Sequence, residues 1–425
     1  MSRTTTAPRA GADQGVRARL QQLMDSPTAT YYLLLSVTTL LVAIGLVMVL
    51  SASMIVSIRE SGGSPYAVFI TQAIFAVLGA IAMVAAMRIP LARWKRLGGL
   101  ALVVTLVLQA LVFTALGSGS GGNRNWLDFK VFSLQPSELG KIAVVLFGAR
   151  VLAHKRHLMG SFKEAVVPFV FPAAAMLIFL VMLGHDLGTT MVLAAIVAGM
   201  LFAAGMPLRW FAVAGVSGLA LLAAATLTSI NRLGRINIWL HPGLCVPKNE
   251  ELYYDICRQP LHARYALADG GLTGIGLGAS KEKWQWLSAP HNDFIFAIIG
   301  EEIGLIGTLV VLVLFAVFAY AAYRLVIRSE DFFVRVAAAG VMTWIVVQAI
   351  INIGAVIGTL PIIGVPLPFV SSGGSSLVTT MVGAGLLLAF ARAEPRCAEQ
   401  LSANPASVRG SQAVLSLVRR RRGRG

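Results

Sequence analysis

Asp293 closes a polar run, Ser288-Ala289-Pro290-His291-Asn292, and opens an apolar one, Phe294-Ile295-Phe296-Ala297-Ile298-Ile299. A carboxylate half removed from water loses solvation of its charged form, so its pKa rises and it can serve as a general base near neutral pH. The same position also suits an N-cap, which accepts a backbone hydrogen bond and does no chemistry. A further use of such a group is to hold a divalent cation, Mg or Mn, that neutralises a departing phosphate. Glu301 and Glu302 follow about two to three helical turns later and read as structural acids in need of partners.

Three other stretches carry polar groups beside apolar ones. In Gln135-Pro136-Ser137-Glu138-Leu139-Gly140-Lys141, proline and a carboxylate suit a helix start, and Lys141 falls on the face of Glu138. Either the two pair with each other, or Lys141 is presented to a phosphate, with Arg124 of Asn123-Arg124-Asn125-Trp126 beside it. Asp186 in Gly184-His185-Asp186-Leu187-Gly188-Thr189 sits at the mouth of a helix, where it either caps or binds. The glycines from Gly270 to Gly278 let backbone approach closely, but the Lys-Ser/Thr order of a phosphate loop is missing, which excludes a nucleotide site of that type. Finally, Leu360-Pro361-Ile362-Ile363-Gly364-Val365-Pro366-Leu367-Pro368-Phe369-Val370-Ser371-Ser372 is apolar yet interrupted, a pattern tolerated at membrane depth only where it lines a cavity or packs inside protein. We expect a re-entrant outer loop bordering a pocket, with Ser371 and Ser372 at its end.

These groups need a scaffold, and composition says which. Of the 425 residues 57% are hydrophobic and 13% charged, about half the charged share of a soluble domain. The mean hydropathy is +0.77. Apolar runs near 31–52, 68–87, 98–117, 138–153, 166–183, 188–205, 210–228, 293–323, 333–356 and 376–392 predict an all-α polytopic membrane protein of about ten helices. Lys and Arg crowd the short even-numbered connections (Arg88, Arg93, Lys95, Arg96; Arg150, Lys155, Arg156, Lys163; Arg324, Arg328, Arg335), which places both termini in the cytoplasm. The expected order is a cytoplasmic tail over 1–30, seven helices over 31–228, a large outer loop over 229–292, three helices over 293–393 and a basic tail over 394–425. No cleavable signal peptide is read at the start.

The formal net charge of +16 is dispersed among apolar spans, so nucleic acid is not expected as a partner. The long loop holds Arg232, Arg235, Lys248, Arg258, Arg264, Lys281 and Lys283, where anion binding and pairing with Glu250, Glu251, Asp255 and Glu282 are both open readings. Cys245 and Cys257 share this loop and can form a disulfide if it faces outward; otherwise they are two thiols.

The motifs together resemble the SEDS family (shape, elongation, division and sporulation). The resemblance rests on Gln135-Pro136-Ser137-Glu138 with Lys141, Asp186-Leu187-Gly188-Thr189, Gly271-Leu272 with Gly276-Leu277-Gly278, His291-Asn292-Asp293-Phe294-Ile295-Phe296-Ala297 with Gly300-Glu301-Glu302, and Pro366-Leu367-Pro368-Phe369-Val370-Ser371 with Gly373-Gly374-Ser375-Ser376. It implies ten transmembrane helices and inverting glycosyl transfer that polymerises lipid II at the outer face of the bacterial cytoplasmic membrane. A class B penicillin-binding protein is the implied partner, alongside other division proteins. The division-type branch is favoured over the elongation-type branch, which would place the chain at the septum. Two positions depart from the pattern: His185 stands where the family often has proline, and Ala289 where it has a glutamate. The family's essential aspartate is Asp293, while Lys141, Glu138, Arg124, Arg264, Asp186, Ser371 and Ser372 are the candidates to contact substrate. A lipid II flippase and a non-enzymatic scaffold are the competing readings.

Overall fold

The computed structural model describes residues 26–60, 63–120, 123–129, 133–227, 230–245, 256–284, 286–395, 397 and 399–400. The tails over 1–25 and 401–425, together with Lys248, Glu250, Glu251 and Asp255, lie outside the described residues.

Each apolar run forms a helix. The order is α1 (Ala29–Glu60), α2 (Ala67–Arg88), α3 (Leu91–Leu111), a three-stranded antiparallel sheet of β1 (Gly117–Ser120), β2 (Asn123–Asp128) and β3 (Ser133–Leu134), and α4 (Pro136–His154). There follow α5 (Phe162–Val166), α6 (Ala175–Leu183), α7 (Leu187–Ala203), α8 (Leu208–Leu227), α9 (Ile230–Leu240), α10 (Arg258–Gly270), α11 (Ile295–Arg328), α12 (Phe332–Ile357) and α13 (Gly374–Ala393). Among the described residues seven helical spans are long and apolar enough to cross a membrane, α5 and α6 counting as one, and α7 is a shorter apolar helix. The chain is thus an all-α polytopic membrane protein, with its small sheet confined to one connection.

Lipid offers helices no hydrophobic drive to associate, so close packing at small residues must hold them. The contact of α2 with α13 illustrates this: a Cβ on Gly79 would lie 2.6 Å from Met381 Sδ, and one on Gly385 would lie 2.6 Å from the Met83 carbonyl. The 229–292 stretch, expected as a loop, contains the helices α9 and α10.

A break in α11 shapes the end of the bundle. Gly304 has φ 76° and ψ −166° inside the helix, which frees backbone groups on either side. The glycine-rich segment takes them up: Ile275 and Gly276 N–H donate to the carbonyls of Glu301 and Glu302, and Leu305 N–H donates to Gly271 O. The buried acids secure the same segment from the side. Glu301 accepts from Ser280 Oγ and Lys281 N, while Glu302 accepts from Ser51 Oγ and from Lys283 Nζ at 3.0 Å. Both acids are thus structural. A Cβ on Gly304 would meet Gly274 N at 2.4 Å in a backbone region closed to other residues. Gly304→Ala is therefore expected to cost about 2 kcal/mol or more, read as a lower melting temperature in detergent. Gly99→Ala, which meets nothing within 4 Å, should not lower it.

Candidate active site

Contacts sort the connections into two ends. At one end β2 pairs with the turn before α7 through Arg124 N–H to Gly184 O at 3.0 Å, and Gln135 Nε2 donates to Asp186 Oδ2 at 3.0 Å. The same end holds the segment preceding α11, the α9–α10 region and the irregular 358–373 loop. At the opposite end Lys95 pairs with Asp331 and Lys155 with Glu164.

Asp293 lies just ahead of α11 and is half-buried. Its surroundings are built by the 358–373 loop, which Asn352 of α12 pins by donating from Nδ2 to both Asp293 O (2.9 Å) and Val365 O (2.7 Å). Ser371 Oγ donates to Asn292 O at 2.7 Å, and Ser372 N–H donates to His291 O at 2.9 Å, stitching the loop to the Asp293 segment. Gly364, at φ 74°, leaves room: a Cβ there would stand 3.5 Å from Asp293 Oδ2. Among the described residues no hydrogen bond satisfies the Asp293 carboxylate. Burial pushes its pKa up to about 6; the Arg235 charge works against that rise and the Asp186 charge adds to it.

A narrow cavity of about 30 Å³ lies alongside, lined in part by Arg235, Trp239, Gln259, Arg264, Gly358 and Ile362. Arg235 of α9 donates from Nη1 to Ile362 O at 3.3 Å, and Trp239 Nε1 donates to Gly358 O at 3.1 Å. The Arg264 guanidinium of α10 lies against Gly358, where a Cβ would come within 2.8 Å of Nη2. Cys245 and Cys257 form a disulfide with Cα atoms 5.5 Å apart. That bond ties the end of α9 to the start of α10 and so holds the two arginines on adjoining walls.

The helical bundle that positions this carboxylate has counterparts among known proteins. Residues 31–395 match the family model of FtsW, RodA and SpoVE, described as cell cycle proteins. The chain belongs to this family. A relative named probable peptidoglycan glycosyltransferase FtsW, from Mycobacterium tuberculosis, is 37% identical over 91% of this chain and 72% of its own length. Stage V sporulation protein E of Bacillus subtilis is 35% identical over 86% of this chain and 98% of its own. Among solved structures, a chain of a peptidoglycan synthase complex superposes with a TM-score of 0.66 at 22% identity, covering 84% of this chain and 96% of that one. RodA of Thermus thermophilus superposes with a TM-score of 0.60 at 23% identity, covering 84% and 95%.

Within this FtsW/RodA/SpoVE fold the residues singled out by sequence do not all meet. Lys141 is 1% exposed and bonds to Glu138 Oε1 at 2.7 Å and Gln348 Oε1 at 3.0 Å, with the Trp344 ring beneath its ammonium. Glu138, 2% exposed, also accepts from Thr379 Oγ1. Of the two open readings the structure shows the mutual pair: a helix start packed among α12 and α13 turns both groups inward. Arg124 is exposed on β2, where its Nη2 donates to Thr114 O, and its backbone bond to Gly184 places it near the Asp186 turn. Asp186 caps α7 by accepting from Thr189 N at 2.9 Å and Thr189 Oγ1 at 2.8 Å, and burial raises its pKa. Ser371 Oγ is engaged by Asn292 O and Leu367 N, and the Ser372 backbone amide donates to His291 O, so both residues fasten the loop through these bonds. Arg264 does reach the cavity.

Sequence reasoning passed over Arg235 as a site residue, counting it only among the basic residues of its loop. No local signal marks it, because its relation to Asp293 exists only once α9 folds back over the 358–373 loop. A hard divalent cation needs about six oxygen donors. Among the described residues no group of three metal-ligating side chains is present, and Asp186 already spends its oxygens on Thr189 and Gln135. Asp293 would therefore offer a divalent cation one protein carboxylate, with water and substrate phosphate left to supply the other oxygens.

Proposed function

We propose that this chain is a peptidoglycan glycosyltransferase of the division type that polymerises lipid II at the outer face of the bacterial cytoplasmic membrane, at the septum. The observation that carries the reading is the Asp293 carboxylate, without a hydrogen bond among the described residues, desolvated, and within the electrostatic reach of Arg235, which lines the neighbouring cavity. Lysine and arginine in the even-numbered connections, at the opposite end, support an outward-facing site.

Asp293 takes the proton from the acceptor sugar 4-hydroxyl as that oxygen attacks the donor's anomeric carbon. The bond from that carbon to the lipid diphosphate breaks, and the diphosphate leaves with the electron pair, its charge gripped by Arg235 and Arg264. No step is routed through a divalent cation. A class B penicillin-binding protein fits as partner, since the synthase complex that shares this fold couples polymerization with crosslinking.

Incubating the purified chain and a class B transpeptidase with lipid II should yield glycan strands on a gel; lipid II moved across vesicles without strands would favour a flippase instead. Arg235→Gln should raise the KM for lipid II about ten- to a hundredfold, the value of a charge-assisted contact, with a smaller change in kcat.

A further inference from the structure

The end of the bundle opposite Asp293 carries a second, larger cavity. The start of α3, the end of α4 with its following turn, and the start of α12 border an open groove of about 630 Å³, within the roughly 300–1,000 Å³ of small-molecule sites. Lys95, Arg96, Arg150 and Arg156 converge on it, against the two carboxylates of Glu330 and Asp331, with Phe332 and Phe333 as an apolar floor. Only Lys95 is paired, with Asp331 Oδ2 at 2.5 Å. Among the described residues the three arginines have no carboxylate within ion-pair distance. Arg150 Nη1 reaches the Arg96 carbonyl at 3.4 Å, and Arg156 Nε donates to His157 Nε2 at 3.0 Å. Helices α3 and α12 bring positive dipole ends here and α4 a negative one, so the side chains decide the sign.

Topology alone asks for basic residues in connections facing the cytoplasm, not for four of them around one cavity. Guanidinium forks match phosphate oxygens. A soluble phosphate would use only the cations, whereas a phospholipid also uses what adjoins them. From the cavity the exposed apolar side chains Leu100, Val103 and Val107 run along α3, a path for acyl chains.

We propose that this cavity binds the phosphate headgroup of an anionic phospholipid in the leaflet opposite the Asp293 site. Placing it in the inner leaflet, where anionic headgroups face juxtamembrane basic residues, rests on the orientation given above. The binding itself does not.

Native mass spectrometry of the full chain released from detergent with added phosphatidylglycerol tests this. Retained phosphatidylglycerol in preference to phosphatidylcholine is expected, with a drop of at least tenfold in Arg96→Gln/Arg150→Gln/Arg156→Gln. These arginines are exposed, so the melting temperature of the triple variant should match the parent. Equal retention by parent and variant, or equal retention of both lipids, overturns the proposal. So does full displacement by millimolar inorganic phosphate, which would make it a free-anion site. Selective retention of a polyprenyl diphosphate over phosphatidylglycerol would also overturn it, by assigning the cavity to a lipid-linked substrate.

Discussion

Asp293→Asn is expected to lower glycan polymerisation by about 10²- to 10⁴-fold, the range a positioned general base contributes, while leaving the protein folded. The two side chains are nearly isosteric, and the carboxylate takes part in no hydrogen bond among the described residues. Its backbone carbonyl, which accepts from Asn352, is untouched. Removing a desolvated charge relieves a cost, so the melting temperature should hold or rise. Steady-state turnover of lipid II by purified parent and variant, each with the same transpeptidase, gives the comparison. Retention of parental turnover by the variant would end both the base role and any role for Asp293 in holding a cation.

The second large effect concerns stability. Lys141→Met leaves the Glu138 carboxyl in the interior with Thr379 as its one remaining hydrogen-bond donor among the described residues. Breaking a buried pair by deleting one partner costs about 3–5 kcal/mol, because the remaining charge is uncompensated. The expected result is a sharp loss of monodisperse protein in detergent and a lower melting temperature. Glu138→Gln added to Lys141→Met should recover much of that loss, since no lone charge remains. A stable Lys141→Met protein with only a raised KM for lipid II would show that the lysine reaches a phosphate after all.

Glu138 and Lys141 also show where sequence runs out. Their spacing puts both on one helix face, and that was legible; whether the face looks inward or outward depends on α12 and α13 packing over it, which no local pattern encodes. The apolar runs were readable because crossing about 30 Å of hydrocarbon sets a length that chance rarely supplies. Asp293 was readable because its water-to-lipid boundary is written in its immediate neighbours. Arg235 was not, since the charge it acts on lies on a distant segment and comes near only when α9 packs against the 358–373 loop. The glycines from Gly270 to Gly278 announced a close approach without saying to what. The answer, the broken backbone around Gly304, is tertiary.

The pH dependence of polymerisation tests the central claim most directly. A base must be unprotonated, so the rate of the parent should fall as pH drops through about 6, well above the usual aspartate value of 3.8. Because the Arg235 charge lowers the Asp293 pKa, Arg235→Gln should move that acid limb to higher pH. An acid limb near 4, or one that stays in place when Arg235 is neutralised, would contradict a desolvated Asp293 acting as the base.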